Sequence, residues 1–318
     1  MMTGWENDPR EPRINGTTSV LFQLGMIITI VCAAVLAFEL FVAIFRSPEV
    51  FSEIYGMRIN ILIITPFPVS VLTISGATLQ LFYVAVLTMA TIAVGYLLWK
   101  FIPAFIGFLR DNDQKPMEKN VMFEFSTMFA AMYFLEMAFL VVLIMIGVDV
   151  DDSVPFVDET PLEMMFLTLQ AAVWEEIVSR VLLIGVPMLV IAFALSDREK
   201  LWKWLAGGFG MSQAAAVLIV ISALFFGIAH VPGWDLWKFV PTFIFGLGVG
   251  YLFVKYGLYA AIAMHFMFNY LSASDWLLND SGVLIGLAIL IVAVLGIPYA
   301  WVYAKRGVLY FRNEFIRA

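Results

Sequence analysis

The chain has 318 residues, of which 62% are hydrophobic and only 14% charged, and its formal net charge is -7. Soluble domains carry about 25% charged residues, so this composition excludes an ordinary soluble enzyme and indicates an integral membrane protein. The negative charge and the lack of a long basic run exclude nucleic acid as a partner. Apolar runs and short loops take up almost all of the chain, so one polytopic domain in the lipid bilayer is predicted.

Eight apolar runs are long enough to cross the bilayer as helices, for which about 20 residues suffice. They cover residues 19–45, 79–108, 121–147, 161–195, 213–231, 237–254, 257–273 and 282–304. The run at 60–77 is interrupted by Pro66, Pro68 and Gly76, which disfavour a straight helix, so it is interpreted as an interfacial or re-entrant segment. The predicted fold is therefore all-α, a polytopic membrane bundle of about eight transmembrane helices.

The positive residues predict the orientation of the chain. If the spans alternate and both termini are cytoplasmic, only Arg46, Arg58 and Lys238 fall in outer segments, while most other lysines and arginines fall in cytoplasmic ones. The loop at 149–163 contains acidic residues and no basic ones, and it is predicted to lie outside. We therefore expect a multi-pass protein of the cell membrane with both termini in the cytoplasm.

The fourth apolar run has a well-marked beginning. Thr160 offers a capping hydroxyl, Pro161 suits the first helical position, and Glu163 can complete a capping box. The run is longer than one crossing requires, so we expect the helix to be tilted, or broken near Gly185 and Pro187.

An ionisable cluster interrupts this fourth run. Glu175, Glu176 and Arg180 stand where apolar residues are expected, and each such group costs from roughly 2.5 kcal/mol upward within a bilayer. Arg180 follows Glu176 by four residues, which is the favourable order for an ion pair on one helical face. We expect Glu176 to pair with Arg180, which leaves Glu175 as the freer carboxylate.

Both histidines of the chain lie in later apolar runs. His265 and Asn269 are four residues apart and therefore share one helical face, and the same spacing joins Phe226 and His230. Three predicted helices thus each present one polar face. The simplest packing brings these faces together in one polar site inside the bilayer.

These groups suit hydrolysis of a peptide bond by activated water. A buried carboxylate beside an imidazole can take a proton from water, and a second imidazole with an amide nitrogen can donate hydrogen bonds to the oxyanion that forms. Ser179 and Ser222 lie nearby, but neither is part of the G-x-S-x-G pattern of a serine nucleophile.

The order and spacing of these residues resemble the CPBP family of intramembrane proteases. That family includes the type II CAAX prenyl endopeptidases of the Ras-converting-enzyme type and bacteriocin-processing relatives. Its three motifs, E-E-x-x-x-R, F-x-x-x-H and H-x-x-x-N, are matched in order by Glu175, Glu176 and Arg180, by Phe226 and His230, and by His265 and Asn269. The resemblance covers roughly residues 160–275.

The resemblance implies a glutamic-type intramembrane endopeptidase with four catalytic residues. Glu175 with His230 would activate the attacking water, while His265 and Asn269 would form the oxyanion site. The active site would lie between the helices of the 160–275 core.

Glu176 and Arg180 would support the site from behind, and the resemblance implies no cofactor. An alternative is a zinc ion held by Glu175, Glu176, His230 and His265, whose oxygen and nitrogen atoms are suitable ligands. The H-E-x-x-H spacing that is typical of many zinc peptidases is missing, so the metal-free mechanism is favoured.

The apolar runs, the predicted orientation and the resemblance together divide the chain into four parts. A cytoplasmic N-terminal tail covers residues 1–18, accessory transmembrane helices cover 19–159, and the CPBP-like catalytic core covers 160–275. The last transmembrane helix and a cytoplasmic C-terminal tail make up 276–318.

The implied substrate is a protein or peptide, and the prenylated C-terminal CAAX tail is the family's best-known case. The predicted orientation places His230 at the outer end of its span, whereas prenylated tails would be processed on the cytosolic side, so the substrate stays open. Two other functions also stay open: a proton- or cation-coupled transporter that uses the glutamate pair, and a non-catalytic membrane scaffold. The sequence does not predict an oligomeric state.

Overall fold

The computed structural model describes residues 18–64, 67–111, 113–150, 159–194, 201–277 and 282–316. Residues 1–17 of the predicted N-terminal tail and residues 151–158 of the acidic loop lie outside these ranges. The helices are α1 Thr18–Phe45, α2 Ser47–Glu53, α3 Gly76–Asp111, α4 Lys115–Glu118, α5 Val121–Met145, α6 Pro161–Glu176, α7 Val186–Ala194, α8 Leu201–Ala206, α9 Gln213–Trp234, α10 Phe239–Tyr256, α11 Leu258–Leu277 and α12 Gly282–Phe311.

Seven helical segments in the described ranges are long and apolar enough to cross a membrane: Val20–Phe45, Gly76–Asp111, Val121–Met145, Pro161–Ala194, Gln213–Trp234, Leu236–Tyr256 and Gly286–Ile316. Leu258–Leu271, in the seventh predicted span, is a shorter apolar helix. The prediction of an all-α polytopic bundle is confirmed. The chain is an integral, multi-pass membrane protein.

A β-hairpin occupies the run that proline and glycine interrupt. Strands β1 Arg58–Ile64 and β2 Pro68–Ser75 pair antiparallel, with Arg58 opposite Ser75 and an irregular step between Ile61 and Leu62. Isoleucine, valine and threonine dominate both strands and favour extended backbone, and Pro68 stands at the first position of β2, where a missing N–H is tolerated. The sequence interpretation of this run as interfacial or re-entrant included no strand.

The fourth span begins as predicted and changes its winding halfway. Thr160 Oγ1 accepts from the Glu163 N–H at 3.2 Å, and the Thr160 N–H donates to Glu163 Oε2 at 2.8 Å, which completes the capping box. A π-helical segment, Ile177–Gly185, follows α6 directly and continues into α7. The wider π winding begins at the residue after Glu176, and such segments are frequent at functional sites.

Helices α6, α9 and α11 pack against this segment, and α10 packs against both α9 and α11. Gly246 and Gly250 allow α9 and α10 to approach closely, because a Cβ on Gly246 would lie 2.9 Å from Ala223 Cα and a Cβ on Gly250 would lie 3.1 Å from an Ile219 methyl. This is the packing role that small residues four apart predict. The helices that carry the two histidines thus both pack against the span that carries the glutamate pair.

Candidate active site

The predicted site residues come from three membrane segments, which are the fourth span, α9 and α11. Glu175 and Glu176 are the last two residues of α6, Arg180 lies in the π-helical segment, His230 lies near the end of α9, and His265 and Asn269 lie on α11. Because α9 and α11 pack on the α6 span from two sides, the structure brings the glutamates and both imidazoles into one cluster.

Glu176 forms the buried base of this cluster. Arg180 Nε donates to Glu176 Oε2 at 3.0 Å, and His265 Nδ1 lies 2.8 Å from Glu176 Oε1. The side chains of Glu176 and Arg180 have no exposed surface. A carboxylate can only accept, so His265 Nδ1 carries its hydrogen and the ring's Nε2 points away from Glu176. The ion pair that the spacing of Glu176 and Arg180 predicts is present.

Ser222 joins Arg180 to the helix that carries His230. Arg180 Nη1 donates to Ser222 Oγ at 2.7 Å, and Ser222 Oγ donates to the Ser179 carbonyl at 2.6 Å. All of these groups are buried. Because the Ser179 carbonyl belongs to the π-helical segment, Ser222 holds both the Arg180 side chain and the backbone beside it.

We expect Ser222→Ala to lower the free energy of unfolding by about 1–3 kcal/mol, since it leaves Arg180 Nη1 buried without its acceptor. Thermal unfolding of the detergent-purified protein measures this change. Thr29→Val is the matched control, because it removes an equally buried hydroxyl that bonds only to Gly25 of its own helix. An equal effect of the two substitutions would show that Ser222 does no more than an intrahelical hydroxyl.

His230 is fixed by its own helix. Its Nδ1 lies 2.8 Å from the Phe226 carbonyl, which can only accept, so Nδ1 carries the hydrogen here as well. The ring stacks on Trp234, with centroids 5.3 Å apart, and lies 4.5 Å from the ring of Phe226. These contacts aim Nε2 of His230 at Glu175.

Glu175 Oε2 is the atom on which both histidines converge. It lies 3.8 Å from His230 Nε2 and 3.8 Å from His265 Nε2, too far for a direct hydrogen bond. This oxygen is buried and has no hydrogen-bond partner in the described part of the chain. The Glu175 side chain is nevertheless 29% exposed, against 0% for Glu176, so of the two glutamates only Glu175 has exposed surface.

Asn269 lies one turn after His265 and is bonded to α6. Its Nδ2 donates to the Thr168 carbonyl at 3.2 Å, which uses one of the two amide hydrogens and leaves the other to donate elsewhere. No hydrogen bond among the described residues joins Asn269 to Glu175 or His230. The structure therefore places Asn269 on the same helix as His265, without a hydrogen bond to the converging side chains of Glu175 and His230.

Phe226 forms an apolar wall behind both histidines. Its ring centroid lies 6.0 Å from that of His265, and the Arg180 guanidinium carbon lies 5.3 Å from the ring. Phe226 is buried, and Phe245 packs edge-on against His265 at 5.0 Å. Both phenylalanines restrict the orientation of the imidazoles, as expected for packing residues.

The four residues considered as zinc ligands do not converge on one point. Glu176 faces Nδ1 of His265, whereas Glu175 faces Nε2 on the other side of the same ring. In addition, one Glu176 oxygen is bonded to Arg180. Within the described ranges, no group of three or more His, Cys, Asp or Glu side chains has an arrangement that could hold a metal ion. The complete four-residue set thus does not fit a single zinc ion in this arrangement.

Two contributions to the site were not predicted from sequence. Ser222 was considered only as a nucleophile, although it lies four residues before Phe226 and eight before His230, on the same face of α9. The Leu62 carbonyl of the hairpin accepts from Trp174 Nε1 at 2.8 Å, directly beside Glu175. The helical spacing of Ser222 was a usable signal, but the sequence contains no local sign of the second contact.

Residues 158–271 match the family model described as type II CAAX prenyl endopeptidase Rce1-like. Comparisons with curated proteins and with solved structures gave no significant match. The matched range contains all six predicted site residues, and the family indicates a protease of the membrane-embedded CAAX type. Residues 158–271 therefore form an Rce1-like domain of the type II CAAX prenyl endopeptidase family, in agreement with the CPBP resemblance.

Proposed function

We propose that this protein is a glutamic-type intramembrane endopeptidase in which Glu175 activates the water that cleaves the peptide bond. The observation that carries the proposal is the convergence of two imidazole Nε2 atoms, each 3.8 Å away, on a buried carboxylate oxygen without another partner. A water molecule about 2.8 Å from that oxygen would also be within hydrogen-bond reach of either Nε2 atom. Family membership of residues 158–271 supports the same class of reaction.

In the proposed first step, Glu175 acts as the general base. Its Oε2 takes one proton from the water while the water oxygen attacks the carbonyl carbon, and His230 Nε2 accepts a hydrogen bond from the same water and orients it. The Nδ1–H of His230 is held by the Phe226 carbonyl, which leaves Nε2 as the acceptor in the neutral ring. The carbonyl oxygen then becomes an oxyanion.

His265 and Asn269 are proposed to bind that oxyanion. As an imidazolium, His265 would donate Nδ1–H to Glu176, at the 2.8 Å distance already present, and Nε2–H to the oxyanion. The amide hydrogen of Asn269 that Thr168 does not use is a second donor on the same helix. Glu176 and Arg180 are positioning residues in this scheme, because Glu176 contacts His265 and Arg180 contacts Glu176.

The second step returns the proton. The protonated Glu175 donates to the departing amide nitrogen as the C–N bond breaks, which releases an amine and a carboxylic acid and regenerates the carboxylate. The hydroxyl oxygen of the new carboxylic acid comes from the water, and its carbonyl oxygen comes from the substrate. No cofactor takes part in this scheme.

We propose a peptide with a prenylated CAAX tail as the substrate, because that is the substrate class that the description of the family names. The cation-carrier alternative has less support, since both oxygens of Glu176 are already bonded, one to Arg180 and one to His265. Only one carboxylate would then remain to bind a transported ion.

Cleavage of a fluorogenic prenylated CAAX peptide by the purified protein tests the proposal. We expect cleavage by the wild-type protein, and we expect the rate to be unchanged after incubation with a chelator and removal of bound metal. A rate that falls on chelation and returns with added zinc would contradict the metal-free scheme. A protein that leaves the prenylated peptide intact but cleaves an unprenylated one would overturn the substrate and retain the reaction.

A further inference from the structure

The β-hairpin Arg58–Ser75 lies against the candidate active site. Trp174, the neighbour of Glu175, donates its indole N–H to the Leu62 carbonyl of β1 at 2.8 Å. Strand β1 also contacts the π-helical segment and α9, and both strands contact α3. A carbonyl that is bonded to Trp174 points out of the two-stranded ladder, so the outer edge of β1 faces the helices that carry Glu175 and His230.

Apart from the Leu62 carbonyl, which accepts from Trp174, that outer edge has unused hydrogen-bonding capacity. In an antiparallel pair, alternate N–H and C=O groups of each strand point away from the partner strand. In the described ranges, no backbone-to-backbone hydrogen bond links the hairpin strands to another element. Isolated two-stranded sheets are marginally stable, and unpaired strand edges readily add a further strand.

The side chains of the hairpin define the kind of peptide that would suit it. Arg58 is the only charged residue in the two strands. Apolar side chains are widely exposed in the hairpin: Leu62 by 40%, Val69 by 46%, Val71 by 53%, Leu72 by 58% and Phe67 by 61%. Apolar side chains are also exposed on the spanning helices, where they suit lipid, and in the hairpin beside Glu175 the same property suits an apolar peptide. A partner without charges and with aliphatic side chains would cover it.

We propose that the outer edge of β1 binds the substrate as an extended third strand and positions its scissile peptide bond beside Glu175. The inference rests on the proposed peptidase function and adds how the substrate is held. Strand addition would supply backbone hydrogen bonds to an apolar peptide whose side chains offer few. It would also present the scissile carbonyl free of the intrahelical hydrogen bond that it would have in a helical substrate.

A scan of singly N-methylated peptides tests this binding mode with the wild-type protein. In a paired strand only every second N–H faces the neighbouring strand, so N-methylation at alternate positions, away from the scissile bond, should raise KM about tenfold per blocked bond. Methylation at the intervening positions should have little effect, and kcat should change little at either set. Equal effects at successive positions, or none, would overturn the proposal.

A matched pair of variants locates the binding edge. Leu62→Lys on β1 and Val69→Lys on β2 place a charge at positions of similar exposure, 40% and 46%. We expect Leu62→Lys to raise KM for the apolar peptide at least tenfold more than Val69→Lys does, since only β1 would contact the substrate. A larger effect at Val69 would assign the substrate to the other edge and contradict the inference.

Replacement of residues 58–75 by a short Gly-Ser linker separates this proposal from the peptidase proposal. The linker can join Met57 to Gly76, because Arg58 and Ser75 are paired at the open end of the hairpin. We expect the variant to cleave a short peptide that does not reach the hairpin, and to lose the alternating response to N-methylation with a long one. An unchanged KM for the long peptide would contradict the strand-addition proposal alone. If the wild-type protein cleaved neither peptide, the peptidase proposal would be contradicted.

Discussion

Glu175→Gln is expected to reduce kcat by about 10²–10⁴-fold, the usual contribution of a general base. Glutamine keeps the size of the side chain and cannot take a proton from water. We expect the thermal stability to change little, because Glu175 Oε2 has no hydrogen-bond partner among the described residues and the side chain is 29% exposed. Steady-state cleavage of a prenylated peptide and thermal unfolding of the same preparation measure the two quantities.

Glu163→Gln is the control on the same helix. Glu163 lies at the first turn of α6, where its Oε2 accepts from the Thr160 N–H. Its substitution should affect stability slightly and leave kcat unchanged. If Glu175→Gln retained wild-type kcat, or if both variants lost activity equally, Glu175 would not be the base.

Arg180→Met is expected to lower the free energy of unfolding by about 3–5 kcal/mol. Glu176 would then be a buried charge without its cationic partner, and breaking a buried pair from one side is costly. Ser222 would also lose the guanidinium that it binds. Chemical or thermal unfolding in detergent measures the loss, and we expect kcat to fall as well, because Glu176 then holds His265 less firmly.

The double variant Glu176→Met with Arg180→Met separates these two effects. A buried ion pair replaced on both sides by apolar residues often costs little, so we expect the double variant to be more stable than Arg180→Met alone. Its activity should stay low, because His265 Nδ1 has lost its acceptor. A double variant that is both stable and active would show that Glu176 does not position His265.

Local rules were sufficient for the parts of the site that lie within one helix. The capping box at Thr160 and the pairing of Glu176 with Arg180 depend on spacings of three and four residues, and both are present. The overall arrangement of apolar spans was predictable for the same reason, because length and composition decide whether a helix can cross a bilayer. The orientation in the membrane and the division into accessory and catalytic parts stay predictions.

Contacts between distant elements could not be derived in this way. The bond from His265 to Glu176 spans 89 positions, and the direction of the imidazole ring depends on Phe226 and Phe245, which pack against it. Ser222 shows the same limit, since a serine on an apolar face has many uses until the facing side chain is known. The hairpin was not predicted, because proline and glycine interrupt a helix as readily as they end a strand, although β-branched residues surround them.

Cleavage of a prenylated CAAX peptide in proteoliposomes, analysed by mass spectrometry in water enriched in ¹⁸O, tests the central claim most directly. The account predicts one new C-terminal carboxylate that contains a single ¹⁸O atom, formed by chelator-treated wild-type protein and not by Glu175→Gln. Intact peptide after incubation with the wild-type protein, together with proton flux that depends on Glu175, would contradict it and favour a transporter.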